Sequence, residues 1–232
     1  MKDGSRKRWG VDSNNSGTHE PTLCAQGQAN AATMAAMNPN PHFLFLTTST
    51  REPGALGNTE WLAQQAAAAL PAGTRQTWHH LSRMQLPMFV DQRHTTGQYD
   101  MPAGDMKTLL DATLAATDIV FVAPVYWYSI PAPLKIYLDH WSAWMRVPGL
   151  PFKEEMARKT LRLITTSGDR AKAQPMMDSI RLCAQFMAMA YGGELWGKGG
   201  PPNAVKADAE AVAQAATFFD RLIPPALKIQ SV

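Results

Sequence analysis

With 232 residues, 45% of them hydrophobic and 18% charged, the chain is long enough for one domain with a real core and too apolar to be a disordered one. The 22 Lys and Arg against 19 Asp and Glu leave a formal charge of +3, without the basic patch that marks a nucleic-acid binder. Two cysteines, Cys24 and Cys183, exclude a disulfide scaffold, and the longest apolar stretch, Ile119 to Val125, falls far short of the ~18 residues of a membrane span. A cytoplasmic protein with no nucleic-acid partner and no membrane segment is the expectation.

Residues 1–41 stand apart. Val11 and Leu23 are their only members of the Val, Leu, Ile, Phe set, so the segment cannot bury enough apolar surface to offset its ordering entropy. It reads as a disordered or loosely ordered tail, and residues 42–232 as the folded domain. The Arg6-Lys7-Arg8 cluster has no apolar run behind it and reads as solvated. Met34 and Met37 stand just before the first core-like segment, and a functional start there is expected.

From His42 the pattern changes. His42 to Thr48 is a short apolar run ending in small polar residues, which predicts a buried parallel strand. A polar loop follows. Asn58 or Thr59 then caps an Ala-rich helix running to about Leu70, which Pro71 and Gly73 stop. Thr74 to Leu81 is a second strand, with His79 and His80 in structural roles. Residues 82–104, with Pro87, Gly97, Pro102 and Gly104, form a long loop. Asp105 to Thr117 is helical by period, with Met106, Leu109, Leu110 and Leu114 on one face.

Ile119 to Ala123 is the clearest strand. Pro124-Val125-Tyr126-Trp127-Tyr128-Ser129-Ile130-Pro131 follows it, then a helix from Ala132 to Trp144 with prolines in its first turn. Lys159 to Thr165 is a fourth strand. A helix from about Pro175 to Tyr191 carries Cys183 toward the core. Gly193 to Trp196 is a short fifth strand, and Ala207 to Leu222 the closing helix. This alternation predicts an α/β fold with a parallel sheet and helices on both faces. Ligands in such sheets bind beyond the carboxyl ends of the strands, which directs attention to the loops after the first, third and fourth strands.

The first of these loops offers hydroxyls, Arg51 and a helix amino terminus, a set that favours an anion. It has neither Gly-Lys-Ser/Thr nor Gly-x-Gly-x-x-Gly, so a single terminal phosphate fits better than a triphosphate or a dinucleotide. In the second loop three adjacent aromatics follow a buried strand. They either stack on a flat ligand or pack into the core or a subunit interface. The third, Thr165 to Asp169, adds hydroxyls, backbone amides and Gly168. Cys-His and Ser-His-Asp constellations are absent from these loops.

Ser49-x-Arg51 with Gly57-Asn58-Thr59, the run Pro124 to Lys135 with Leu138-Asp139, and Thr165-Thr166-Ser167-Gly168 together resemble the flavodoxin-like NAD(P)H-dependent oxidoreductases, which include FMN reductases and NAD(P)H:quinone reductases. The resemblance covers about His42 to Leu222. It implies a three-layer sandwich with a five-stranded parallel sheet of order 2-1-3-4-5, FMN as cofactor, and NADPH or NADH as co-substrate. Ser49, Arg51, Asn58 and Thr59 would hold the ribityl phosphate. Pro124, Val125, Tyr126 and Trp127 would lie along the isoalloxazine, with Ser167 and Gly168 on its other side. The hydride chemistry would belong to the flavin, with no catalytic side chain and no metal.

The electron acceptor would be a small molecule such as a quinone or free flavin, in a pocket shaped by the loop 82–104, Trp141 and Trp144. A flavin-binding carrier or redox sensor without NAD(P)H turnover is the other reading, and the +3 charge counts against it because such carriers are acidic. Two features depart from the family. His140 stands where an Arg is common, and the first loop is longer. The helix 132–144 is apolar beyond one stripe, which predicts a homodimer.

Overall fold

The computed structural model describes residues 41–52 and 54–220; the expected tail lies outside them except for Pro41, as does the end of the expected closing helix. The chain runs β1 (His42–Thr47), α1 (Asn58–Ala68), β2 (Arg75–His80), α2 (Gly104–Ala115), β3 (Asp118–Val122), α3 (Ala132–Trp144), α4 (Phe152–Met156), β4 (Thr160–Ser167), α5 (Arg170–Phe186), β5 (Ala190–Lys198) and α6 (Ala209–Ala215). Single 3-10 turns occupy Leu81–Arg83 and Ala204–Ala207. The five strands form one sheet of order β2-β1-β3-β4-β5, every pair parallel, as the family resemblance implies.

β1 shows how the layers arise. All six of its residues are buried, and side chains alternate across the sheet. Leu44 and Leu46 join a core with α2, α3, α4 and α5, while Phe43 and Phe45 join a second core with α1 and α6. Burial on both faces is why the strand reads as a continuous apolar run.

The helix starting near Pro175 begins instead at Arg170. Asp169 caps it, its Oδ1 accepting from the Ala171 amide at 3.0 Å, and Pro175 lies inside. It ends at Phe186 because Ala188 turns left-handed (φ 55°), and Ala190 already belongs to β5. β5 is accordingly longer than the expected 193–196. α4 went unrecognised, since five residues show no period. The closing helix starts after the 3-10 turn, where Asp208 caps α6 through the Ala211 amide, and is shorter than expected, ending at Ala215. On α2, Thr113 takes the buried position expected of Leu114, its hydroxyl meeting Tyr137 Oη at 2.7 Å.

At the amino ends of the strands, polar groups close α2. Lys159 Nζ donates to the carbonyls of Leu114 and Ala116 at 2.7 and 2.6 Å, and His42 Nδ1 donates to Ala115 O at 3.1 Å. Cations at a helix carboxyl end satisfy its orphan carbonyls and its dipole. His42 Nε2 then accepts from Thr77 Oγ1 at 2.9 Å.

The long loop after β2 folds over α3. Met84, Leu86, Phe89 and Tyr99 pack against the core, and His140 Nε2 donates to Pro87 O at 2.9 Å. His140 is thus a tie between α3 and its own loop. On α3, Leu134, Tyr137, Trp141 and Trp144 are buried, and Ile136, Leu138 and Met145 are half-buried. Lys135 and Asp139, one turn apart, pair on the outer face. Cys183, expected in the core, is half-buried, and its neighbours Leu182 and Phe186 on α5 are 63% and 64% exposed. Leu182 and Phe186 occupy the outer stripe of α5, whose inner stripe is Met176, Met177, Ile180 and Ala184.

Candidate functional site

The carboxyl ends of β1, β3 and β4 open into one cleft of about 410 Å³. That falls in the usual range for a small-molecule site, ~300–1,000 Å³. Every residue named from the sequence lines it: Ser49, Arg51, Asn58, Thr59, Pro124, Val125, Tyr126, Trp127, Ser167 and Gly168. The strand order brings them together, because β3 lies between β1 and β4.

One end is built for an anion. Gly57 is the N-cap of α1 and no side chain caps the helix, so its first amides face the cleft without a protein acceptor. A Cβ on Gly57 would lie 3.4 Å from Arg51 Cδ, so the arginine stem rests on the glycine. Arg51 forms no ion pair among the described residues, although Glu60, in the first turn of α1, also lines the cleft. Ser49 Oγ accepts from the Arg51 amide at 3.3 Å.

Three side chains are engaged elsewhere. Asn58 Nδ2 donates to Pro201 O at 3.0 Å, and its Oδ1 accepts from the Val205 amide at 3.4 Å. Thr59 Oγ1 meets Thr166 Oγ1 at 2.6 Å. Asn58 and Thr59 therefore offer backbone amides to the cleft. Ser167 Oγ donates to Asp169 O at 2.6 Å and accepts from Trp196 Nε1 at 2.8 Å, which leaves that hydroxyl no free donor.

The other wall is aromatic. Tyr126 and Ser129 exchange two backbone hydrogen bonds of 3.0 Å, closing a two-residue turn with Trp127 and Tyr128 at its tip. Both tip residues are left-handed, φ 50° and 62°. Such turns favour Asn-Gly, and each bulky residue there costs roughly 1–2 kcal/mol. Trp127 is 94% exposed along the cleft. Strain of this kind concentrates at functional sites. Below the turn, Tyr126 Oη accepts from Thr50 Oγ1 at 3.4 Å. Burial raises the Tyr126 pKa, but hydrogen bonds from Thr50 and Ser49 and the charge of Arg51 outweigh it and leave the phenol below its ordinary value.

Sequence reading missed part of the lining. Gly199 and Gly200 come from the loop after β5, and Lys172 from the first turn of α5. A Cβ on Gly199 would approach Thr166 Cβ to 2.9 Å, so only glycine lets that loop close on β4. The signal was the Gly199-Gly200-Pro201-Pro202 run directly after a strand. Conversely, Trp141 and Trp144 do not shape this cleft. Both pack edge-to-face with Tyr137 and Phe152 in the core, at ring separations of 5.3 to 6.1 Å. His79 and His80, expected in structural roles, tie the end of β2 to β1 and the first loop. Thr47 Oγ1 donates to His79 O, and His80 Nδ1 reaches Ser82 Oγ, which donates to Ser49 O at 2.8 Å.

A family model described as "Flavodoxin-like fold" matches residues 41–217. The chain is 28% identical over 170 residues to a Bacillus subtilis protein named as the NAD(P)H-dependent FMN-containing oxidoreductase YwqN, covering 71% of this chain and 91% of that one. The Trp repressor binding protein of Bacillus subtilis shares the fold at TM-score 0.59 and 23% identity, covering 78% of this chain and 99% of its own. An NAD(P)H:quinone oxidoreductase from Methanothermobacter marburgensis matches at TM-score 0.58 and 15% identity, covering 79% and 98%.

Proposed function

We propose an activity for a chain that belongs to the flavodoxin-like family: it is an FMN-dependent oxidoreductase that takes hydride from NADPH or NADH and delivers reducing equivalents to a small acceptor such as a quinone or free flavin. The observation that carries this reading is the uncapped start of α1 opening, beside Arg51, into a cleft whose other wall is aromatic. A flat ring bearing one phosphate matches both ends. The relative named for FMN and NAD(P)H supports the same cofactor and reductant.

The residues present fit FMN. The amides of Asn58 and Thr59, the Ser49 hydroxyl and the Arg51 guanidinium would hold its phosphate by charge-assisted hydrogen bonds. Tyr126 and Trp127 would lie along the ring, with backbone at Pro124 and Val125 below it and at Ser167 and Gly168 beside it. Gly199 and Gly200 would close the far side. When bound, the flavin supplies the hydride acceptor and donor. The protein positions it, shields it from water and places Lys172 near it as an added positive charge.

The folded unit would be residues 42–232, with residues 1–41 dispensable. A chain starting at Met37 is expected to fold, bind flavin and turn over like the full one. An insoluble or colourless product would contradict this. A homodimer is supported by the half-buried Ile136, Leu138 and Met145 of α3 and the exposed Leu182 and Phe186 of α5, although the loop after β2 already covers part of α3. Light scattering at micromolar concentration should give twice the monomer mass. Dependence on NAD(P)H, an intracellular reductant, supports a cytoplasmic location.

The test of function is a titration of flavin-stripped protein with FMN, followed by NADPH and NADH oxidation with quinone, flavin and azo-dye acceptors. Saturable flavin binding with acceptor-dependent turnover supports the reading. Flavin binding without nucleotide oxidation would make the protein a carrier, and absence of flavin binding would refute the proposal.

A further inference from the structure

A second pocket, of about 520 Å³, lies across the first loop from the cleft. Thr50, Arg51 and Glu52 form the partition, and Arg51 lines both spaces. Three residues of chain span at most ~10 Å, so a ligand of dinucleotide length can cross it. The Thr50 hydroxyl donates to Tyr126 Oη at 3.4 Å and joins the partition to the aromatic wall.

The pocket has two unlike sides. Leu86, Pro133 and Ile136 give it an apolar floor, and Arg51 and Arg83 give it two guanidinium groups. Neither arginine lies within 4 Å of a carboxylate among the described residues, although Glu52 shares the lining. Arg83 closes the 3-10 turn Leu81–Arg83, which Ser82 ties to Ser49 O at 2.8 Å, so its backbone is fixed to the first loop. Burial, and then the nearby charge of Arg83, hold the His80 pKa below its ordinary value, so His80 adds no competing cation at neutral pH. An apolar surface beside the Arg83 guanidinium suits a purine carrying a phosphate dianion, since arginine binds phosphate by a rigid two-pronged fork.

We propose that this pocket seats the 2′-phosphoadenosine end of the reductant, so that Arg83 selects NADPH over NADH. The identity of the nucleotide rests on the oxidoreductase reading above; the pocket and its charge do not. With the nicotinamide end at the aromatic turn, the pyrophosphate passes over Thr50 and Arg51. The 2′-phosphate meets Arg83, and NADH offers that arginine no partner.

The test is calorimetric titration of the full-length protein with 2′,5′-ADP and with 5′-AMP, for the wild type and for Arg83→Ala and Arg83→Lys. The wild type should bind 2′,5′-ADP at least tenfold tighter than 5′-AMP. Arg83→Ala should bring the two within threefold, and Arg83→Lys should fall between. Arg83 is exposed, so unchanged melting should accompany each variant. The ratio of KM for NADH to KM for NADPH should fall in step. Equal wild-type binding of the two ligands, or a preference that survives Arg83→Ala, would overturn the proposal. Flavin absorbance separates the two claims: a bound flavin with no 2′-phosphate preference sinks only the pocket, and the preference without any flavin sinks only the oxidoreductase.

Discussion

The hydroxyls of Thr59 and Thr166 meet at 2.6 Å although 107 residues separate them. Thr59 opens α1 and Thr166 ends β4, so this contact joins the anion-binding end of the cleft to the loop on its far side. Both side chains are buried. Thr59→Val or Thr166→Val alone leaves a buried hydroxyl without its partner and should cost about 1–3 kcal/mol. The double variant should cost less than the sum. A double-mutant cycle by urea denaturation checks this, and strict additivity would show that the hydroxyls are not coupled.

Arg51→Ala should weaken FMN at least tenfold, about 1.4 kcal/mol, because a charge-assisted hydrogen bond to phosphate is lost. Riboflavin, which has no phosphate, should lose nothing. Equal losses for both flavins would place Arg51 away from the phosphate.

The strained turn makes a paired prediction. Replacing Trp127-Tyr128 by Asn-Gly supplies residues that adopt left-handed φ readily, so the folded state should gain roughly 1–2 kcal/mol for each residue replaced. The flavin site should suffer, with weaker binding and loss of tryptophan quenching on FMN addition. A variant no more stable than the wild type would mean that the turn stores no strain.

Acid should destabilise the fold through its histidines. Burial, reinforced by Arg75 and Lys159 and opposed by the hydrogen bond to Ala115, holds His42 below its ordinary 6.5. Burial does the same for His79, against Asp105, and for His80, with Arg83 adding to it and Glu60 opposing. A group whose folded pKa is lowered binds fewer protons folded than unfolded. Its stabilisation is complete above 6.5 and is lost as pH falls through 6.5 toward the folded value, at up to about 1.4 kcal/mol per pH unit for each linked proton. Asp118, raised by burial against the pull of Arg162, has the opposite sign in the carboxylate range. Denaturation at pH 7.5 and 5.5 should show lower stability at 5.5, and a flat profile would contradict the assignment.

The sequence was most legible where a residue's role follows from its backbone position. Helix α3 was placed from Ala132 to Trp144 because prolines mark its start and apolar spacing carries its length. The cleft lining was legible because the carboxyl ends of parallel strands must share one edge. Side-chain direction was not. Asn58 and Thr59 line the cleft, but their hydroxyl and amide groups turn toward Thr166, Pro201 and Val205, partners fixed only by the tertiary fold. Trp141 and Trp144 misled for a related reason. An apolar helix advertises its stripes without showing which one meets the sheet, and α4, whose Phe152 packs against both rings, has no period to read.

The central claim is that the cleft holds a flavin that NAD(P)H reduces. The most direct measurement is an anaerobic visible spectrum of the FMN-loaded protein before and after stoichiometric NADPH. The oxidised flavin band should be lost on addition of nucleotide and return when a quinone is admitted. A band unchanged by both NADPH and NADH, on protein that demonstrably holds FMN, would contradict it.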